Sequence, residues 1–295
     1  DIVVRSNVPL DLKVTLLLAK HTEAVQVQGE DILDAMVVSH SSVGAGVFSK
    51  RPTSTVASGL SDIITLSTPG VVADSNGFFH PLGDHAQMSF SVDNQPITDQ
   101  QGYIFSTQLP PNAIQSLDAI FGAPAAEYGD KTSLVITAIT RSGLGQKEPH
   151  GDFLTQYGSF GTVGQSGSLG FGNDRIGNFI ALNWIRCGRF LDTPEFWPMH
   201  AIGNNENLFD RVDFQPSQAD ALHLNVFFAR SWFQIPNTYV QEDSGQDQRQ
   251  LVRSVNIAPG WVHTLSSSAL LTINLTTVKT RWAIIRAYRT CRTSQ

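Results

Sequence analysis

Phe78-Phe79-His80-Pro-Leu-Gly-Asp84-His85 gathers two imidazoles and a carboxylate within one short stretch. His80, Asp84 and His85 are residue types that could ligate a transition ion. All three fall in a single Gly/Pro-containing loop, and no second cluster accompanies them. A loop whose histidines simply hydrogen-bond is the simpler reading, so no metal site is assigned. Two aromatic stretches follow: Arg189-Phe-Leu-Asp-Thr-Pro-Glu-Phe-Trp197-Pro-Met-His200, and Trp232-Phe-Gln-Ile-Pro-Asn-Thr-Tyr239. Aromatic platforms of this kind could grip a glycan or a planar chelate; the competing reading is an interfacial girdle, where Trp and Tyr sit at headgroup level. Trp197 stands inside a long loop and is the best binder among the tryptophans. Trp184, Trp232 and Trp261 lie near strand ends or bodies and read as girdle or lipid-facing residues. Ser166, in Gly164-Gln-Ser-Gly-Ser-Leu-Gly, lacks the G-x-S-x-G spacing and the strand–turn–helix context of a nucleophile elbow. No catalytic residue and no cofactor is assigned, and the chain is not read as an enzyme.

Composition narrows what can carry these stretches. Over 295 residues only 16% are charged, while Gly (24) and Phe (17) are plentiful. No window approaches 18 consecutive apolar residues, so no transmembrane helix is expected. Net charge is −6, and no basic stripe with interleaved aromatics precedes the tail, which argues against nucleic acid as a partner. Cys187 and Cys291 fit no metal or redox spacing and no disulfide framework. The chain opens at Asp1-Ile-Val-Val without an initiator Met, and it is read as a fragment of a longer protein.

The elements follow from periodicity. Val8, Leu10, Leu12, Val14 and Leu16 alternate strictly, giving strands over residues 1–30. Val56, Leu60, Ile63 and Ile64 occupy one helical face, with Thr53 or Ser54 as N-cap and Pro69-Gly70 as the stop. In Val92-Asp93-Asn94-Gln95-Pro96, Asn94 is one of the few residue types that tolerate positive φ in a tight turn. Strands are expected over Ile114–Phe121 and Leu134–Ile139, then a flexible junction from Arg141 to Gly151.

Beyond the junction the period becomes two. Strands are predicted over 151–161, 165–172, 176–187, 208–215, 221–233, 250–265 and 269–278. Every second connection is a tight turn, and two of the other three are long and polar. Outer-membrane barrels show this asymmetry; a soluble sandwich has no reason to collect its long loops at one end.

The order of a helix, Pro69-Gly70-Val71-Val72, the Val92-Asp93 hairpin, the Leu109–Thr140 segment and the Thr140-Arg141-Ser142-Gly143 junction resembles the plug of TonB-dependent outer-membrane receptors. Among these it is similar to the group with an N-terminal carboxypeptidase-regulatory-like module. The resemblance implies a mostly β fold, with a small α+β plug followed by the N-terminal part of an antiparallel transmembrane β-barrel. Its expected organisation is residues 1–30 as the end of a β-sandwich-like module or a plug lead-in, 31–145 as the plug, 146–278 as the first barrel strands, and 279–295 as an atypical tail. Seven strands cannot close around a plug, because plugged barrels use about 22. The tail carries Lys279, Arg281, Arg286, Arg289 and Arg292 without an acidic residue. An arginine on a lipid-facing strand costs about 2–4 kcal/mol at the bilayer midplane, so the tail reads as a shifted frame or truncated gene; a basic arm that binds nucleic acid or lipid is the other reading.

The resemblance also implies a function and a place: energised, plug-gated uptake of a scarce nutrient across a Gram-negative outer membrane. Its partners would be a TonB-type inner-membrane energising complex, outer-membrane lipid, and a small or oligomeric substrate of unknown identity. In such receptors the plug apex and outer loops touch substrate, which makes Phe78, Phe79, His80, Asp84, His85, Arg189, Trp197 and Tyr239 the substrate-facing candidates. A surface binding or adhesion barrel without active transport, and a soluble all-β binding protein, are the alternatives.

Overall fold

In the computed structural model, residues 39–48, 59–73, 79–81, 88–98, 109–122, 128 and 133–288 are described. The anticipated N-terminal module over 1–30 lies outside them. Among the described residues the plug opens with β1 (Ser39–Gly44), a single helical turn α1 (Ala45–Phe48) and the helix α2 (Gly59–Ser67). A short antiparallel pair, β2 (Val71–Ala73) and β3 (Phe79–Pro81), comes next. The remaining plug strands are β4 (Met88–Val92), β5 (Gln95–Thr98), β6 (Ile114–Phe121) and β7 (Leu134–Thr140). Five of the plug's strands form one sheet in the order β1-β6-β7-β4-β5, antiparallel except for β4 beside β7.

Local chemistry accounts for these elements. Leu60, Ile63 and Ile64 are buried on one face of α2, as their spacing requires. The helix stops at Pro69-Gly70, where Gly70 takes φ +78°, the left-handed conformation that glycine adopts at no steric cost. The expected N-cap residues lie outside the described segment. At the β4–β5 hairpin both central residues are left-handed, Asp93 at φ 50° and Asn94 at φ 61°, as a two-residue type I′ loop demands. Met88, Phe90 and Val92 alternate inward along β4.

The second sheet is an antiparallel meander built from β8 (His150–Gly158), β9 (Thr162–Gly172), β10 (Ile176–Cys187), β11 (Gly203–Phe214), β12 (Asp220–Gln234), β13 (Gln246–Ser266), β14 (Ala269–Asn274) and β15 (Thr277–Tyr288). A five-residue helix, α3 (Tyr239–Asp243), precedes β13. β14 and β15 share one edge of β13 without a register change, since Gly260 faces Asn274 and Ile257 faces Thr277. The break between them lies beside Pro259, which has no N–H to give the ladder. Together they act as one edge strand, so the meander has the seven rows expected. That strand runs through residue 278, where the alternation was expected to stop.

Because neighbours are antiparallel, the connections fall alternately at two ends. Residues 173–175, 215–219 and 267–268 make short turns at one end. At the other end lie the 159–161 turn and two long loops, 188–202 and 235–245.

Alternation also splits the wall into two faces. Phe179, Phe209 and Phe227 point inward and join Phe90, Leu117 and Ile136 in one continuous core. Outward, Ile176, Leu182, Phe214, Leu222, Phe228 and Ile257 form an exposed apolar band, far larger than a soluble monomer tolerates. Leu222 faces Trp261 and, ten residues along β12, Trp232 faces Leu251. Ten residues are about 33 Å of strand, or about 25 Å of height at barrel tilt, the thickness of a bilayer's apolar zone. Among the described residues no helix is long and apolar enough to cross a membrane.

Candidate functional site

The plug is fastened to the wall at the short-turn end. Asp93, in the hairpin turn, accepts hydrogen bonds from the Thr140 amide (3.0 Å) and the Thr140 hydroxyl (2.7 Å). From the wall it accepts one from Asn225 Nδ2 (2.7 Å), and it lies 3.3 Å from an Arg211 guanidinium nitrogen. Arg211 also donates to Asp213 (2.8 Å) and to the Thr140 hydroxyl (2.9 Å). Asp213 in turn accepts from the Ser142 hydroxyl (2.6 Å). One buried cation between two carboxylates thus joins hairpin, plug strand, junction and wall. Buried charge is tolerated only in such a satisfied setting.

The junction after Thr140 was expected to be flexible; it is held against the wall instead. Arg141 lies over the Phe179 ring at 4.8 Å and donates to the Asn112 carbonyl (3.3 Å). Gly145 N donates to the Asn173 carbonyl, and Gly172 N to the Gln146 carbonyl. The glycines that suggested flexibility serve close approach. A Cβ on Gly177 would stand 2.1 Å from Leu144 N, and one on Gly143 would stand 2.1 Å from Asn178 O.

At the opposite end the two long loops are tied to each other. His200, at φ 50°, buries its ring between the Ile235 carbonyl (Nδ1, 2.9 Å) and Asp247 (Nε2, 2.7 Å). Asp247 also accepts two bonds from Arg249 at 2.8 Å. These bonds hold its carboxyl below the ordinary carboxylate value, Arg249 contributing most and His200 assisting. Phe190 stacks on Phe233 at 5.5 Å. Tyr239 N, at the start of α3, donates to Glu195 Oε1 (3.1 Å), and Thr238 with Gln241 forms a capping box there.

The sequence-derived candidates separate on this frame. Trp197 (67% exposed) and Phe196 (84%) meet edge-to-face at 5.5 Å on the longer loop. Tyr239 is exposed on the adjoining loop. Arg189 is at the same end but engaged, paired with Asp192 (2.8 Å) and lying over Phe160. Phe79 has a structural position instead: it is 1% exposed, packed on Phe90 at 5.9 Å in the plug core. His80 is half-buried on β3. Phe78, Asp84 and His85 lie outside the described residues, among which no group of metal-ligating side chains occurs. Cys187 is a buried free thiol.

The reading of the residues missed Phe196, the His200–Asp247 tie and the Arg211 cluster. Arg211 and Asp213, two residues apart in a strand, were the available signal, because same-face charges there need a partner.

No protein-family model matches the sequence, and no curated protein matches it. Solved structures do. The alcaligin outer-membrane receptor FauA of Bordetella pertussis aligns at TM-score 0.64 and 15% identity, over 85% of this chain and 40% of its own. The FrpB iron transporter of Neisseria meningitidis aligns at 0.64 and 12%, over 82% and 40%. The copper transporter OprC aligns at 0.59 and 14%, over 82% and 37%. At these identities the likeness is one of fold. That fold is a plug followed by the N-terminal part of an antiparallel transmembrane β-barrel, as the plug motifs implied. The chain spans about 40% of the length of the structures it matches.

Proposed function

We propose that this chain is the plug and adjoining barrel wall of an outer-membrane receptor that takes up a scarce nutrient with energy from a TonB-type inner-membrane complex. One observation carries the reading: a folded α+β plug is pinned to the polar-lined inner face of a wall whose outer face is a continuous apolar band. A plug inside a membrane wall blocks a path, and a blocked path is useful where something moves the plug. The long-loop end faces outward, and Trp197, Phe196 and Tyr239 there make first contact with substrate. The short-turn end faces the periplasm, where the energising partner acts. The matched structures include receptors for siderophores and a copper transporter, so a metal or metal chelate heads the substrates to test.

The test is accumulation of ferric siderophores, copper, cobalamin and oligosaccharides in cells producing the receptor, with and without the energising complex. Uptake of one of them that depends on the complex supports the proposal. Binding without energised accumulation overturns it in favour of a surface-binding barrel.

A further inference from the structure

The His200 side chain is 1% exposed, and each of its ring nitrogens faces an acceptor. Nδ1 lies 2.9 Å from the Ile235 carbonyl of the neighbouring loop, and Nε2 lies 2.7 Å from Asp247 Oδ1 at the start of β13. A carbonyl oxygen has no proton to give. Asp247 has none either, because both of its oxygens take bonds from Arg249 at 2.8 Å. A neutral imidazole carries one N–H and satisfies one such contact. Both contacts at once require the imidazolium, with a proton on each nitrogen.

The charges around the ring are few. Asp247 and Arg249 face it from β13, and β15 places Ala287 opposite Asp247. On the neighbouring loop Glu242 is bonded to Asn237 Nδ2 (2.9 Å), and Asp243 is exposed. On the ring's own loop Arg189 and Asp192 pair with each other. The backbone on either side of His200 is also tied. The Met199 carbonyl accepts from Asn237 N (3.2 Å), and the Ala201 carbonyl from Phe190 N (2.8 Å).

This joint sets how the aromatic platform is assembled. Trp197 stands three residues before His200, and Tyr239 four residues after Ile235. The ring's two bonds therefore fix one half of the platform against the other. The link closer to the aromatics, Glu195 Oε1 to Tyr239 N, is exposed and competes with water.

Resting on the transport reading above, we propose that His200 is the positioning residue of the outer substrate platform. As the imidazolium it holds loops 188–202 and 235–245 together, and the platform of Phe196, Trp197 and Tyr239 comes apart when the ring gives up a proton. The sign is definite: the tie is complete while the ring holds both protons and is lost as pH rises through removal of one. Asp247 sets the opposite, acid limit of the same tie.

The test follows ring and loops together in the full chain in detergent micelles. Histidine is labelled with ¹⁵N, and spectra are taken across the histidine range; His200→Asn, which tolerates the left-handed backbone, identifies the His200 signals by their loss. Proteinase K cleavage within the two loops is measured at each pH, relative to an unfolded control peptide. At the acid end of that range both His200 nitrogens should carry protons and the loops should resist. Cleavage should rise about tenfold in the step that removes one ring proton, the change expected if the tie loses about 1.4 kcal/mol. His200→Asn should be cleaved quickly at every pH, and His263→Gln, at the other end of the wall, should behave as wild type. A ring with one proton in the protected loops, or cleavage that ignores the ring's titration, overturns the proposal; both are read on wild type, should the variant not fold. Because no substrate enters the measurement, its failure leaves the uptake reading standing, and a receptor without uptake would still show the step.

Discussion

The Asp93 carboxylate of the plug hairpin lies 3.3 Å from the Arg211 guanidinium of the wall. Asp93 is also a residue at positive φ whose side chain closes on Thr140. The residue that shapes the turn is therefore the one that anchors the plug, and Arg211 completes the anchor by bridging Asp93 and Asp213.

Arg211→Met should be the most disruptive substitution in this network, since it leaves two buried carboxylates facing each other. Loss of one partner from a buried pair costs about 3–5 kcal/mol. Urea unfolding should show a fall of that order, with amide exchange rising first around Thr140–Ser142. An unchanged midpoint would mean that Arg211 is solvated rather than buried.

Gly177→Ala tests the close approach of the junction. The added methyl would meet Leu144 N at 2.1 Å and Gly143 C at 2.5 Å, an overpacking worth about 1–3 kcal/mol. Hydrogen exchange should quicken at residues 143–146 and stay as it was in β13. Uniform behaviour at both places would remove the close-packing account.

The tie between the outer loops should weaken in acid. Asp247 is held below its ordinary value of 3.8, so its contribution is present above that value and is lost as pH falls through the lower, folded one. Pepsin cleavage within 188–202 and 235–245 should therefore accelerate at pH values below about 4. The Asp247→Asn variant should be cleaved quickly throughout the acid range. A wild-type rate that is flat across it would refute the tie.

Trp197→Ala and Phe79→Ala should part company. Trp197 is largely exposed, so its loss should leave stability within about 0.5 kcal/mol while lowering substrate binding. Phe79 fills the plug core, and its truncation should cost about 3–5 kcal/mol. Calorimetry alongside uptake reads both, and a large stability loss for Trp197→Ala would make it a packing residue.

Much of the fold was legible because its signals are local. The two-residue period of β8–β14, the glycine stop after α2 and the Asp93-Asn94 turn each need only neighbouring residues to be read. Strand Thr277–Tyr288 was not legible: its arginines argued against a lipid-facing strand, and only pairing with β13 shows that the strand continues the wall. The junction was misjudged because glycine marks flexibility and close packing alike.

The sequence by itself determined that Arg211 and Asp213 share one face of a strand and Asp210 the other, since alternation follows from the backbone. Which face is buried was decided by tertiary structure alone. A period of two is symmetric between the faces, and here the plug covers one of them, making a partnered cluster of Arg211 and Asp213 while Asp210 is left to the outside.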